Sequence, residues 1–202
     1  LDYLNRSGLP LSTDDSTTTR STDNWSGLGR LDFILGQNQT LSLRGDWRDT
    51  RTEPTGVGTL SVPASGGTTR STGGGVMATL SSRFGTKVLN ELRAYVSGSS
   101  NKGQAFHELP QGRVQVVSAL DNGSQTVTNL SFGGNSGLSQ RRSSRDLEMT
   151  EELSLIPGDA SHRIKVGALL NRSNAQQIVA NNLTGTFTYN SLADLYADRP
   201  IS

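Results

Sequence analysis

The chain has 202 residues, 19 basic and 18 acidic side chains, 23 glycines and no cysteine, and hydrophobic residues make up 32% of its composition. The lack of cysteine excludes disulfides and thiolate metal sites, and an apolar fraction below the roughly 45–50% of ordinary globular chains argues against a large solvent-free core. The interspersed charges give no footprint for a nucleic-acid partner, and no window approaches the roughly 20 apolar residues of a membrane-spanning helix, so the chain is either soluble or spans a membrane as strands.

The chain opens with residues 1–7, which have the pattern of a helix end followed by the helix stop Gly8-Leu9-Pro10. This segment lacks the positive and apolar regions of a secretory signal peptide. The pattern therefore predicts a short helix at the N-terminus, and we interpret the chain as a fragment of a longer protein.

The first strand pair is predicted over residues 25–50, where apolar side chains recur at every second position. One face of this pair carries the apolar side chains of Trp25, Leu31, Phe33, Leu35, Leu41, Leu43 and Trp47. Residues 36–39 predict the turn between the two strands. Each strand has about the 9–11 residues that a tilted strand needs to cross a bilayer, so the pattern indicates a transmembrane hairpin.

The same plan recurs in residues 76–97 and 146–171, with turns predicted at residues 85–87 and 157–161, although Glu151 interrupts the apolar face of the third pair. The pairs are followed by segments rich in glycine, serine, threonine and asparagine, which are residues 51–75, 98–145 and 172–202. Short turns therefore alternate with long loops. This asymmetry is typical of outer-membrane barrels, in which the short turns are periplasmic and the long loops extracellular.

Two of the long loops contain predicted structure of their own. Residues 113–120 and 125–132 flank Asp121-Asn122-Gly123, which is a strong hairpin turn, and we expect this hairpin to project beyond the membrane. In the last loop, Asn190 or Ser191 is the candidate N-cap of a short helix. This predicted helix contains Leu192, Leu195 and Tyr196 and ends before Pro200.

These patterns predict an all-β fold in which antiparallel up-and-down strands form part of a transmembrane outer-membrane β-barrel over residues 1–202. The partial barrel has long extracellular loops and short helices at the N-terminus and near the C-terminus. The predicted location is the cell outer membrane, and the first expected partner is its lipid bilayer. A soluble or surface-attached β-rich module for binding or adhesion is the alternative, which the polar loops and the 5% of aromatic residues favour.

Four short motifs stand in a characteristic order, and they are Gly29-Arg30-Leu31-Asp32-Phe33, Leu41-Ser42-Leu43-Arg44-Gly45-Asp46, Asn90-Glu91-Leu92-Arg93 and Phe187-Thr188-Tyr189-Asn190-Ser191-Leu192-Ala193-Asp194-Leu195. They resemble segments of TonB-dependent receptors, most closely the Oar-like barrels with carboxypeptidase-regulatory-like domains. The resemblance implies uptake of a bulky nutrient such as a metal chelate, a glycan or a peptide. It also implies further partners, which are a plug domain, the remaining barrel strands, an inner-membrane TonB energising complex that acts through an N-terminal part, and an unknown transported ligand.

No residue pattern predicts a catalytic, cofactor or metal site. Ser99 and Lys102 match the Ser-x-x-Lys pattern of penicillin-recognising enzymes, but the companion motifs are absent, so we expect an exposed loop rather than a serine hydrolase. The two histidines, His107 and His162, lack metal-ligand spacing. Gly73-Gly74-Gly75 lacks the lysine and the following helix of a phosphate-binding loop. We therefore predict that the chain is not an enzyme and has no cofactor.

The charged residues of the predicted strands are interpreted as structural. Neighbours on a strand point to opposite faces, so Glu152 is expected to face the lumen and Glu151 the apolar side. The charges of the first strand pair are expected to form cross-strand ion pairs on the inner face. These charged residues are Arg30, Asp32, Arg44, Asp46 and Arg48.

Overall fold

The computed structural model describes residues 19–157, 162–179 and 182–202. Within these ranges the chain forms strands, one short α-helix and one 3₁₀ turn at Pro63–Ser65. In chain order, the elements are β1 (Ser21–Ile34), β2 (Gln39–Thr55), β3 (Gly67–Phe84), β4 (Val88–Ala105), β5 (Gln111–Ala119), β6 (Gln125–Gly133), β7 (Gln140–Leu155), β8 (Ile164–Val179), β9 (Thr186–Tyr189) and α1 (Leu192–Tyr196). No helix in the described part of the chain is long and apolar enough to cross a membrane.

Six long strands form one antiparallel sheet in the order β1-β2-β3-β4-β7-β8. Residues 35–38 join β1 to β2 and residues 85–87 join β3 to β4, where the two turns were predicted. The connections at the other end are longer, and β5 and β6 are inserted between β4 and β7. The all-β antiparallel fold is therefore confirmed. Of the predicted turn at residues 157–161, residues 158–161 lie outside the described part, as does the predicted N-terminal helix.

The strands of this sheet are longer than the sequence pattern predicts. β3 begins at Gly67 and β4 continues to Ala105, so parts of the segments that we predicted as loops are paired strand. The same holds for β7, which begins at Gln140, and for β8, which continues to Val179. The reason is that backbone pairing with the neighbouring strands continues after the apolar alternation has ended.

A second sheet of three strands, in the order β6-β5-β9, stands at the end that carries the long connections. The hairpin of β5 and β6 was predicted, whereas the parallel pairing of β5 with β9 was not. Gly123 has a φ of +79° in the hairpin turn, which favours glycine. The small core of this region is formed by Val114, Phe132, Tyr189 and Leu195.

The predicted helix near the C-terminus is confirmed as α1. Ser191 is its N-cap, because the side-chain Oγ of Ser191 accepts a hydrogen bond of 3.1 Å from the backbone N–H of Asp194. Leu195 is 5% exposed and packs into the core of the second sheet. The cap and this packing fix the helix against β5 and β9.

Candidate functional site

The register of the six-stranded sheet places apolar side chains in rows across one face. One such row consists of Leu31, Leu43, Ala78, Ala94, Met149 and Leu170. We call this region the apolar band, and it comprises residues 27–34, 41–47, 76–84, 88–96, 147–155 and 164–170. At about 3.3 Å per residue and a tilt of about 40°, nine residues span roughly 23 Å, close to the height of the lipid-facing belt of outer-membrane barrels. The apolar face is therefore the outward face.

The two tryptophans mark the end of the apolar band near the long connections. Trp25 and Trp47 lie on the outward face and are 69% and 51% exposed. The register sets Trp47 between Gly27 and Gly74. An added Cβ at Gly74 would approach the backbone of Trp47 to 3.1 Å, so glycine permits the close packing there. Tryptophan is enriched where the hydrocarbon meets water, which places the membrane interface at this level.

The opposite face is polar and carries ion pairs at the level of the band. Arg30 pairs with Asp32 at 3.0 Å, and Arg93 pairs with Glu91 at 2.6 Å. These four residues and Arg44 line a groove of about 300 Å³. Charged side chains at this depth require a lumen that contains water or protein. The polar face is therefore the inner face of the wall.

The expected cross-strand ion pairs of the first hairpin are not formed. Arg30 lies opposite Arg44, which carries the same charge, and Asp46 lies opposite Leu28. Arg30 therefore pairs with Asp32 along its own strand. No ion pair of Arg44, Asp46 or Arg48 occurs within the described residues. The strand register decides which charged side chains can form ion pairs, and the sequence pattern alone did not predict that register.

The adjacent acids Glu151 and Glu152 point to opposite faces, as the strand geometry predicts. Glu152 lies on the inner face and pairs with Lys165 at 2.5 Å. Glu151 lies in the middle of the apolar band, where it accepts a hydrogen bond from the side-chain amide of Asn90. Asn90 and Glu151, with Ser82 opposite Asn90, form a polar spot on a largely apolar surface.

The candidate Ser-Lys pair is separated by the strand. Ser99 lies on the inner face of β4, opposite Ser144, with 2.8 Å between the two Oγ atoms. Lys102 is three positions further and points outward, so it cannot act as the base for Ser99. Gly73-Gly74-Gly75 lies inside β3 and is paired with β2 and β4.

The histidines are not part of a metal-binding cluster in the described part of the chain. His107 lies in the connection between β4 and β5, and His162 lies just before β8. No group of three or more side chains among histidine, cysteine, aspartate and glutamate that could hold a metal occurs in residues 19–157, 162–179 and 182–202.

Beyond the apolar band, the strands continue with charged side chains on the outward face. Arg70 donates two hydrogen bonds to the carboxylate of Asp49, at 2.9 and 2.8 Å. The Arg70 guanidinium holds the pKa of Asp49 below its usual value. Arg51 similarly pairs with Glu53 at 2.7 Å. We did not expect this charged surface, because Arg51, Glu53 and Arg70 fell in the segment 51–75 that we predicted as a loop.

A protein-family model described as "Outer membrane beta barrel domain" matches residues 4–202. A search of curated proteins and a search of solved structures found no match. The family match covers almost the whole chain, and it agrees with the lipid-facing band and the polar inner face described above.

Proposed function

The chain belongs to the outer membrane β-barrel domain family and is located in the outer membrane, and from this premise we propose that it forms part of the wall of a TonB-dependent receptor. The observation that carries this proposal is the contrast between the apolar outward face and the charged inner face. A bulky nutrient such as a metal chelate, a glycan or a peptide needs a wide hydrated passage. A wall with charged inner side chains suits such a passage.

The six strands need further strands to close the barrel. β1 and β8 are the edges of the sheet in the described part of the chain. Edge strands expose backbone N–H and C=O groups, and these groups cannot remain unpaired in hydrocarbon. Closure by additional strands would satisfy them. A large barrel of this kind has room for a plug domain, whose surface the inner-face charges of Arg30, Arg44 and Arg93 would contact.

The second sheet supports a receptor role. β5, β6, β9 and α1 form a separate small core around Val114 beyond the end of the wall. An ordered element on the long connections offers a surface for ligand capture outside the membrane, since binding residues concentrate on loops that a rigid scaffold positions. We propose transport rather than catalysis, because Ser99, the nucleophile that the sequence pattern suggested, has Lys102 on the opposite face of its strand.

Uptake in the native host tests this proposal. Strains with and without the gene would be compared for accumulation of labelled metal chelates, glycans and peptides, each with and without a protonophore. We expect one class to lose its energy-dependent uptake in the deletion strain. If the deletion changes none of the three classes while the full-length protein is present in parental outer membranes, the proposed receptor function is wrong.

A further inference from the structure

A group of basic side chains lies on the outward face, at or just beyond the edge of the apolar band that is near the long connections. We call it the outer basic patch, and it consists of Arg51, Arg70, Lys102, Arg141, Arg145 and Arg172. All six side chains are exposed. Arg51, Arg70, Lys102 and Arg141 lie in one row of register partners on four adjacent strands. Neighbouring strands are about 4.8 Å apart, so the row brings four cationic side chains close together.

The charge of the outward face differs from that of the inner face at the same level. The outward strand positions hold the six basic side chains of the patch and three acids, Asp23, Asp49 and Glu53. The inner positions hold two basic and two acidic side chains, and these are Arg48, Arg142, Asp46 and Asp146. The outward surface therefore has an excess of positive charge, and the inner surface has none.

Four members of the patch are available for an external anion. Asp49 engages Arg70 and Glu53 engages Arg51. Within the described residues, no acidic group forms an ion pair with Lys102, Arg141, Arg145 or Arg172. These four exposed cations attract an anion from outside the chain.

A hollow of about 1050 Å³ on the outward face adjoins two of these cations, Arg141 and Arg145. Gly74 and Gly98 form part of its floor, and Trp47, Arg141 and Arg145 are among its walls. Val76 and Val96 border it on the side of the apolar band. A molecule in this hollow would therefore have hydrocarbon on one side and cationic groups on the other. This is the position of a lipid headgroup whose acyl chains lie along the band.

We propose that the hollow and the outer basic patch bind the phosphorylated headgroup of an outer-leaflet lipid. Arginine matches phosphate with paired N–H donors, and lysine supplies a point charge. A soluble ligand of the transporter would reach the inner face or the loops, whereas this surface faces the bilayer. The inference rests on the transmembrane wall of the proposed function and not on the transported nutrient, so it can be tested separately.

Lipid binding by the full-length protein in detergent tests the inference. The probes are lipid A with both phosphates and its dephosphorylated derivative, titrated against the wild type and the variant R141Q/R145Q/R172Q. The control is R142Q, because Arg142 is adjacent in β7 but points to the inner face. Retained heat-modifiable mobility on a gel shows that each variant has formed its barrel, which also separates this test from a failure of the proposed wall.

We expect the wild type to prefer the phosphorylated lipid, and each removed outward charge to weaken its binding by about fivefold. R142Q should bind like the wild type, and millimolar inorganic phosphate should compete poorly, since it lacks acyl chains. Equal binding of the two lipids, an unchanged affinity of the triple variant, or an equal loss in R142Q would overturn the inference. Strong competition by inorganic phosphate would also overturn it, because the site would then bind free phosphate rather than a lipid.

Discussion

The six-stranded wall has continuous backbone pairing from end to end, but its side chains change character partway along each strand. In β3, the half near the short turn has Ala78 and Leu80 on its outward face, and the half near the long connection has Thr72 and Arg70. The same ladder of hydrogen bonds runs through both halves. The surroundings differ, because the first half meets hydrocarbon and the second half meets headgroups and water.

This difference shows that apolar alternation reports the surroundings of a strand rather than its length. Alternation stops near Val76, but β3 is paired as far as Gly67. Two neighbours satisfy the backbone of β3 whether its side chains are apolar or polar. An added charge should therefore destabilise the half that meets hydrocarbon, whereas the half that meets headgroups and water should tolerate both an added and a removed charge.

A charge placed on the outward face of the band should lower the stability of the barrel the most. Ala78→Arg should destabilise the full-length barrel in lipid vesicles by about 2–4 kcal/mol, because the guanidinium would lie in hydrocarbon. Ser81→Arg, on the inner face opposite Glu91, should have little effect. Thr72→Arg, on the outward face beyond the band and opposite Asp49, should also be tolerated. Urea unfolding measures all three.

Equal destabilisation by the three arginine substitutions would contradict the distinction between the two faces and between the two halves. A loss confined to Ala78→Arg would support both distinctions at once, because the three positions share the same strand.

The next effect concerns the polar pair inside the band. Asn90→Leu should destabilise the barrel by about 1–3 kcal/mol, because the Glu151 carboxyl loses its hydrogen-bond donor in an apolar environment. The double variant Asn90→Leu/Glu151→Leu should recover this loss, since both positions are then apolar. A double variant less stable than Asn90→Leu would show that Glu151 contacts water or another polar partner. Urea unfolding in vesicles again gives the comparison.

The smallest effect concerns Asp49, in the half beyond the band. Asp49→Asn removes the ion pair with Arg70 and should increase affinity for a phosphorylated lipid without measurable loss of barrel stability. The pKa of Asp49 is lowered by Arg70, so the pair is intact above the usual pKa of an aspartate and is lost as the pH falls through the lowered value. Acidification should therefore reduce the difference in affinity between the wild type and the variant.

Lipid titrations of both proteins over an acidic pH series measure this difference. A constant ratio of the two affinities across the series would contradict the role assigned to Asp49, whereas convergence at low pH would support it. The ratio is the useful quantity because the lipid phosphates titrate equally for both proteins.

The parts of the fold that the sequence predicted were those that depend on residues close together in the chain. Alternation and turn residues predicted the first two turns, the hairpin of β5 and β6, and a helix cap at Asn190 or Ser191, because each depends on neighbouring residues. The outer ends of the strands had no such signal, since glycine, serine and threonine are as common in loops.

The candidate sites were less predictable, because they depend on register. We expected Arg30 and Arg44 to form ion pairs with aspartates across the hairpin, but the register places the two arginines opposite each other. The outer basic patch combines residues from five strands, and Arg141 joins the row of Lys102 only because its segment is a strand paired with β4. Arg141 and Arg145 are four residues apart, a spacing that places two side chains on the same face of a strand. Because their segment was predicted as a loop, this spacing was not interpreted.

The apolar face of the six-stranded sheet meets lipid, and the polar face meets the lumen. The chain has no cysteine, so Leu43→Cys and Ser42→Cys place one thiol on each face of β2 at the same level. Each variant of the full-length protein would be labelled with a small fluorophore and reconstituted in vesicles with brominated acyl chains. We predict strong quenching at position 43 and weak quenching at position 42, and equal or reversed quenching in correctly assembled barrels would contradict the claim.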